Sequence, residues 1–130
     1  MPSITVKSKR RIELINISSE IGALVPSDMR EGICHVFTRH TTAGITVNEN
    51  ADPDVCSDLL NFLNELVPHQ KSCYLHCEGN SDAHIKSSLM GVSQSIPIRD
   101  GRLYLGTWQG IYFCEFDGPR VRKVEITFLE

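Results

Sequence analysis

The sequence predicts an α+β protein in which β-strands dominate and three short helices interrupt them. Three observations lead to this prediction: alternating apolar residues near both ends of the chain, an amphipathic stretch over 53–66, and the dipeptide Asp100-Gly101 between apolar runs. A period of two is typical of half-buried strands, an apolar stripe indicates a helix, and Asp-Gly favours a tight hairpin. With 130 residues, 41% of them hydrophobic, we expect one domain over 1–130.

The first third of the chain is predicted to hold strands and one helix. Ser18 opens a segment with apolar residues at helical spacing, which Pro26 should close. The β-rich runs around Arg39 and His40 place these two residues at a strand end or turn, where function is more common than packing. The predicted strands are 4–6, 12–17, 32–38 and 44–48.

The clearest helix begins at Asp52, a capping residue, followed by Pro53 at the first helical position, and it should end before Pro68. Asn80 is a second predicted cap, for a helix that Gly91 ends. The remaining predicted strands are 73–77, 94–98, 102–105, 111–116 and 121–129.

Charge and composition exclude several classes of partner. The net charge of −3 gives no general attraction to nucleic acid or to anionic membranes. No apolar run approaches the roughly 18 residues that a membrane span needs, and the first residues lack the apolar run of a secretory signal. We therefore expect a cytoplasmic protein whose five cysteines stay reduced.

Three histidines, His40, His76 and His84, are predicted at the ends of elements. Imidazole is the commonest metal ligand and catalytic zinc sites use three protein ligands, so together they could hold a divalent metal, zinc or magnesium. They could instead act separately as acid, base and phosphate donor. The residues alone leave both interpretations open.

Other polar residues are candidates for the same site. Asp58 lies beside the apolar stripe of its predicted helix, where a carboxylate needs a partner or a role. The helix start at Asn80 suits a phosphate group, and Arg39 and Lys86 could add positive charge. Trp108 stands between two glycines and is as consistent with a core position as with stacking on a ligand.

Long motifs in these segments resemble the YjbQ family over residues 4–128. They are His40-Thr-Thr-Ala-Gly-Ile-Thr-Val-Asn-Glu-Asn50, then Asp58, the run from His76 to His84, and Ser95-Ile-Pro-Ile-Arg-Asp-Gly-Arg-Leu-Tyr-Leu-Gly-Thr-Trp-Gln109. The resemblance implies a β-rich α+β sandwich with antiparallel sheets, a homotrimer with sites near subunit boundaries, and a secondary thiamine-phosphate synthase activity. That enzyme would join hydroxymethylpyrimidine diphosphate to thiazole phosphate.

The resemblance also implies roles for individual residues. His40, His76 and His84 would be the metal or catalytic histidines, with Asp58 and Glu49 as acidic partners. The ligand-binding residues would be Thr41, Thr42, Asn48, Asn80, Lys86, Trp108 and Gln109. Two alternatives remain at this stage: a metal-dependent phosphoester hydrolase, and a non-catalytic trimer that binds metal or phosphate.

Overall fold

The computed structural model describes residues 2–130, and in this range it has eight strands and three helices. The strands are β1 (Ser3–Lys7), β2 (Glu13–Asn16), β3 (Gly32–Phe37), β4 (Ala43–Glu49), β5 (Ser93–Arg99), β6 (Arg102–Leu103), β7 (Gln109–Glu115) and β8 (Val121–Leu129). The helices are α1 (Ser18–Gly22), α2 (Pro53–Leu66) and α3 (Ser81–Met90). The α+β prediction with three short helices is confirmed.

The strands form two antiparallel sheets with the hydrophobic core between them. One sheet has the order β1-β8-β3-β5-β6 and the other β2-β7-β4. Buried residues of the larger sheet, such as Val36 and Ile126, belong to the same cluster as Ile45 and Phe113 of the smaller one. Alternating residues of each strand face this cluster, as the period-two pattern predicts.

Helix α2 begins as the sequence predicts but is poorly covered by the rest of the chain. The Asp52 side chain accepts a hydrogen bond from the backbone N–H of Asp54 at 2.9 Å, and Pro53 occupies the first turn. No α2 side chain is fully buried, and Phe62 and Leu66 are 62% and 57% exposed. No helix within residues 2–130 is long and apolar enough to cross a bilayer.

The strand predicted at 73–77 is wrong, because these residues lie in an irregular loop between α2 and α3. The Tyr74 N–H donates to the Lys71 carbonyl oxygen at 3.0 Å and closes a turn, while the Tyr74 hydroxyl donates to the Pro68 carbonyl at 2.7 Å. Leu75 is 98% exposed. The segment is β-rich in composition, but it has no strand partner and buries no alternating face.

Candidate functional site

A cleft opens between the β3–β4 connection and α3, with a volume of about 560 Å³. The residues lining it include Arg39, His40, Thr41, His84, Ser87 and Ser88. The cleft therefore contains one guanidinium, two imidazoles and several hydroxyl groups from two separate parts of the sequence. The structure places His40 and His84 on the walls of the same cleft.

His40 is oriented by the neighbouring strand β8. The backbone N–H of Lys123 donates to Nε2 of His40 at 3.0 Å, so a neutral ring carries its proton on Nδ1. Burial, followed by the positive charge of Arg122, lowers the pKa of His40 from its usual value. At neutral pH, His40 is an uncharged imidazole whose Nδ1–H can donate a hydrogen bond.

Beneath the β3–β4 connection, which contains His40, lies a buried ion pair between Glu115 and Arg122. The Arg122 Nε donates to Glu115 Oε1 at 2.9 Å, and its Nη2 bonds both Glu115 Oε2 and the Thr42 hydroxyl, the latter at 2.9 Å. The Ser8 hydroxyl donates to Glu115 Oε1 at 2.7 Å, and the Asp117 N–H donates to Oε2 at 3.0 Å. Burial alone would raise the pKa of Glu115, but the hydrogen bonds from Arg122 and Ser8 outweigh it and lower that pKa.

This ion pair fixes the chain that follows His40. Thr42 is buried and bonded to Arg122 through both its hydroxyl and its carbonyl oxygen. Its predicted role in ligand binding is therefore not supported, because its polar atoms point into the protein and already have a partner. Thr41, the preceding residue, is exposed and lines the cleft.

Helix α3 is held in place by a second buried ionic network. Asp82 and Lys86 are both fully buried, and the Lys86 Nζ donates to Asp82 Oδ2 and to Asn64 Oδ1, each at 2.8 Å. Arg11 binds the same carboxylate with both terminal nitrogens, at 2.8 and 3.2 Å. Burial would raise the pKa of Asp82, but the bonds from Arg11 and Lys86 lower it. These contacts leave His84 and Ser88 on the cleft side.

The end of α3 also needs a glycine at position 44. A Cβ added to Gly44 would lie 2.8 Å from the Gly91 carbonyl oxygen and 3.1 Å from the Met90 side chain. That same carbonyl accepts a hydrogen bond from the Ile45 N–H at 3.0 Å. The close approach of β4 to the C-terminus of α3 brings His84 near the β3–β4 connection.

His76 extends the polar surface beyond the cleft. Its ring is edge-on to that of His84, with 5.3 Å between centroids, and its Nε2 lies 3.6 Å from Glu78 Oε2. His84 thus lies between His40 on one side and His76 on the other. However, within residues 2–130 no three His, Cys, Asp or Glu side chains are grouped to hold a metal ion.

The arrangement does not fit a three-histidine metal site. A metal bound at Nε2 of His40 would displace the Lys123 N–H. A metal bound at Nδ1 would move the ring proton to Nε2, where it would face that same N–H group. A divalent metal at these three histidines stays a prediction, and it would require His40 to give up its hydrogen bond from Lys123.

Two acidic candidates lie away from the cleft. Asp58 is exposed on α2. Glu49 accepts hydrogen bonds from the N–H groups of Ala51 and Asp52, at 3.0 and 3.4 Å, and so stabilises the turn before α2. Neither carboxylate lines the cleft of His40 and His84.

Five predicted ligand-binding residues lie outside the cleft, and four of them have structural side-chain partners. The Asn48 side chain accepts from the Glu49 N–H, and the Gln109 side chain accepts from the Gly106 N–H. The Asn80 side chain donates to Asp117 and makes no cap hydrogen bond. The set not found in the cleft is Asn48, Asn80, Lys86, Trp108 and Gln109.

Sequence reasoning missed Glu115 and Arg122, the residues that support His40. Both occupy inward positions of β7 and β8, where the strand pattern otherwise calls for apolar side chains. A charged residue of each sign at core positions of two strands that follow each other in the sequence is the signal that could have identified them, since a buried charge requires a partner.

Comparison with known proteins places the whole chain in one family. A family model described as UPF0047 protein YjbQ-like matches residues 2–130. A UPF0047 protein of Methanocaldococcus jannaschii is 52% identical over 125 residues, covering 95% of this chain and 90% of the relative. The protein YugU of Bacillus subtilis is 47% identical over 130 residues, covering 99% and 98% of the two chains.

Solved structures show the same fold. An uncharacterised conserved protein of the YjbQ/UPF0047 family from Clostridium acetobutylicum has a TM-score of 0.96 and 50% identity, covering 99% of this chain and 100% of the other. A conserved hypothetical protein from Thermus thermophilus has a TM-score of 0.93 and 41% identity, with the same coverage.

These comparisons identify a family but not a reaction. The prediction of a thiamine-phosphate synthase is wrong: the family and these relatives are described only as uncharacterised, and no metal site is shown in the part of the chain that the structure describes. The structure agrees, because the acidic and aromatic residues assigned to that reaction do not join the histidines. From the match over residues 2–130 and the full-length relatives, the chain belongs to the UPF0047 YjbQ-like family.

Proposed function

We propose that the cleft between the β3–β4 connection and α3 binds a small phosphorylated ligand. The observation that carries the proposal is the convergence of Arg39, His40 and His84 on one cleft of about 560 Å³. Arginine recognises phosphate oxygens with a planar set of donors, and imidazole N–H groups add directional hydrogen bonds.

The state of His40 supports this proposal. An uncharged imidazole held by Lys123 with its proton on Nδ1 is a ready donor at neutral pH, and no protonation step is needed before an oxyanion binds. Because the ring is fixed by the backbone of β8, little conformational entropy is lost when the ligand arrives.

The surrounding charges also favour an anion. The chain carries a net charge of −3, yet no carboxylate is among the residues lining the cleft. Arg39 is exposed and forms no salt bridge with a residue in 2–130, so its guanidinium is available. The Thr41 hydroxyl supplies a further donor along the wall of the cleft.

A homotrimer and a cytoplasmic location remain part of the proposal. The exposed apolar side chains of α2 and of the following loop, including Phe62, Leu66 and Leu75, support self-association because isolated chains rarely expose so many large apolar groups together. All five cysteines are free thiols, which is the usual state in a reducing compartment.

Calorimetric titration of the purified protein with glycerol phosphate, in buffer containing EDTA, tests the proposal. We expect saturable binding that is weakened at least tenfold in Arg39→Gln and in His84→Gln. Arg10→Gln is the matched control, since Arg10 is exposed and outside the cleft. Binding of equal strength in all three variants, or no binding by the unmodified protein, contradicts the proposal.

A further inference from the structure

A cluster of arginines surrounds the β5–β6 hairpin. Asp100 and Gly101 form its two-residue turn with φ angles of 51° and 77°, a left-handed conformation that glycine and aspartate tolerate. Arg99 and Arg102 flank this turn and pair directly across the two strands. Their side chains therefore emerge on the same side of the hairpin.

Two like charges directly opposite each other destabilise a strand pair. Among residues 2–130, no carboxylate forms a salt bridge with Arg99 or Arg102. The guanidinium carbon of Arg99 lies 4.8 Å from the centre of the Tyr104 ring, which holds the side chain without neutralising it. Neither arginine is therefore neutralised by a salt bridge within residues 2–130.

Arg30 brings a third guanidinium to the same place. The Gly101 N–H donates to the Arg30 carbonyl oxygen at 3.0 Å, so the hairpin turn is fixed against the segment that precedes β3. Arg30 Nη2 lies 3.8 Å from Asp100 Oδ1, and both side chains are largely exposed, so this pair is weak. The three arginines line a single cleft of about 480 Å³.

We propose that this arginine cleft binds the di- or triphosphate group of a small molecule. Three guanidiniums and one carboxylate give the cleft a charge of +2, which a multivalent phosphate neutralises while accepting paired hydrogen bonds from each planar donor. Bound phosphate also removes the repulsion between Arg99 and Arg102. The cleft shares no lining residue with that of His40, so the two sites are independent.

The test uses Arg39→Gln protein as the parent, because this substitution weakens ligand binding in the His40 cleft. Binding in the arginine cleft can then be measured separately. Tripolyphosphate and ATP are titrated calorimetrically in EDTA-containing buffer. We expect 1:1 binding that rising salt weakens, and that Arg102→Gln weakens at least tenfold. Arg10→Gln is the matched control and should bind as before.

Thermal unfolding separates ligand binding from a structural role. Without ligand, Arg102→Gln should melt at the same temperature as its parent or higher, because a like-charge pair is removed. With tripolyphosphate, only the parent and Arg10→Gln should show a raised melting temperature. An absence of binding, an equal loss in Arg10→Gln, or tighter binding of a single-stranded RNA 12-mer than of ATP overturns the proposal.

Discussion

The backbone N–H of Lys123 donates to Nε2 of His40 at 3.0 Å, and this one bond determines what His40 can do. It uses the lone pair through which a metal or a proton would bind, and it leaves Nδ1–H as the free polar group of the ring. The strand that supplies this bond also carries Arg122, whose positive charge opposes protonation of the imidazole. Both effects keep His40 a neutral donor.

The first prediction concerns the tautomer and titration of His40. Long-range ¹H–¹⁵N NMR spectra should show a proton on Nδ1 and a pKa below the usual 6.5, since burial and Arg122 disfavour the charged form. His69 is an internal comparison for the tautomer, because its Nε2 lies 2.9 Å from the Gly79 carbonyl oxygen and must carry the proton there. A proton on Nε2, or a pKa of His40 above 6.5, contradicts the assignment.

The same shift makes stability depend on pH. Between the folded-state pKa of His40 and 6.5, the unfolded chain binds more protons, so stability rises with pH and is lost as pH falls through this window. In His40→Gln the contribution should disappear. Urea denaturation at several pH values between 5 and 8 measures it, and an unchanged slope in the variant contradicts the prediction.

The third prediction concerns the buried partner of Arg122. Glu115→Gln leaves a buried guanidinium without a countercharge, and we expect a loss of about 3 kcal/mol of unfolding free energy at pH 7. Because the pKa of Glu115 is lowered from 4.5, the stability that its carboxylate supplies is present above pH 4.5 and is lost as pH falls through the lowered pKa. The variant and the parent should therefore converge in acid.

Glu65→Gln is the matched control for that experiment, because Glu65 is exposed on α2. Urea denaturation followed by circular dichroism gives both free energies. If Glu115→Gln loses no more unfolding free energy than Glu65→Gln, the ion pair does not stabilise the β3–β4 connection. Weaker glycerol phosphate binding in folded Glu115→Gln would further indicate that the pair positions His40.

The elements that could be predicted from the sequence are those whose local signals agree with their burial. Asp52 and Pro53 define the start of α2, and the Asp100-Gly101 turn defines a hairpin, because capping and left-handed turns depend on a few adjacent residues. Residues 73–77 have strand-like composition but form a loop, since a strand requires a partner that no local pattern specifies.

The candidate site shows the same division. His40 and His84 could be associated through their positions at element ends, but the direction of a side chain depends on its three-dimensional neighbours. Lys86 is the clearest case: as a cation near a helix start it favoured phosphate binding, yet it is fully buried against Asp82. A shift of one position along a helix moves a side chain from the solvent-facing side to the core-facing side. The apolar pattern of α3 is too weak to show on which side Lys86 lies.

Lys86 also gives a prediction that separates a structural from a binding role. Lys86→Met leaves the buried Asp82 with Arg11 as its remaining cation, and we expect a loss of about 3 kcal/mol of unfolding free energy. Glycerol phosphate affinity of the folded variant should stay within twofold of the parent. Lys71→Met, at an exposed position, should change neither. A selective loss of affinity in Lys86→Met would return this residue to the binding site.

The last prediction concerns the exposed apolar face of α2. Phe62 and Leu66 are one helical turn apart and point in the same direction, away from the core, so a second copy of the chain is the simplest cover for them. Sedimentation of the parent should show a trimer, and Phe62→Glu should give smaller species because a charge in an apolar interface lacks a partner. Asn61→Glu adds the same charge at an adjacent exposed position and should leave the trimer intact. A parent protein that sediments as a monomer at every concentration contradicts self-association, and equal dissociation in both variants would mean that net charge, rather than burial of this face, controls assembly.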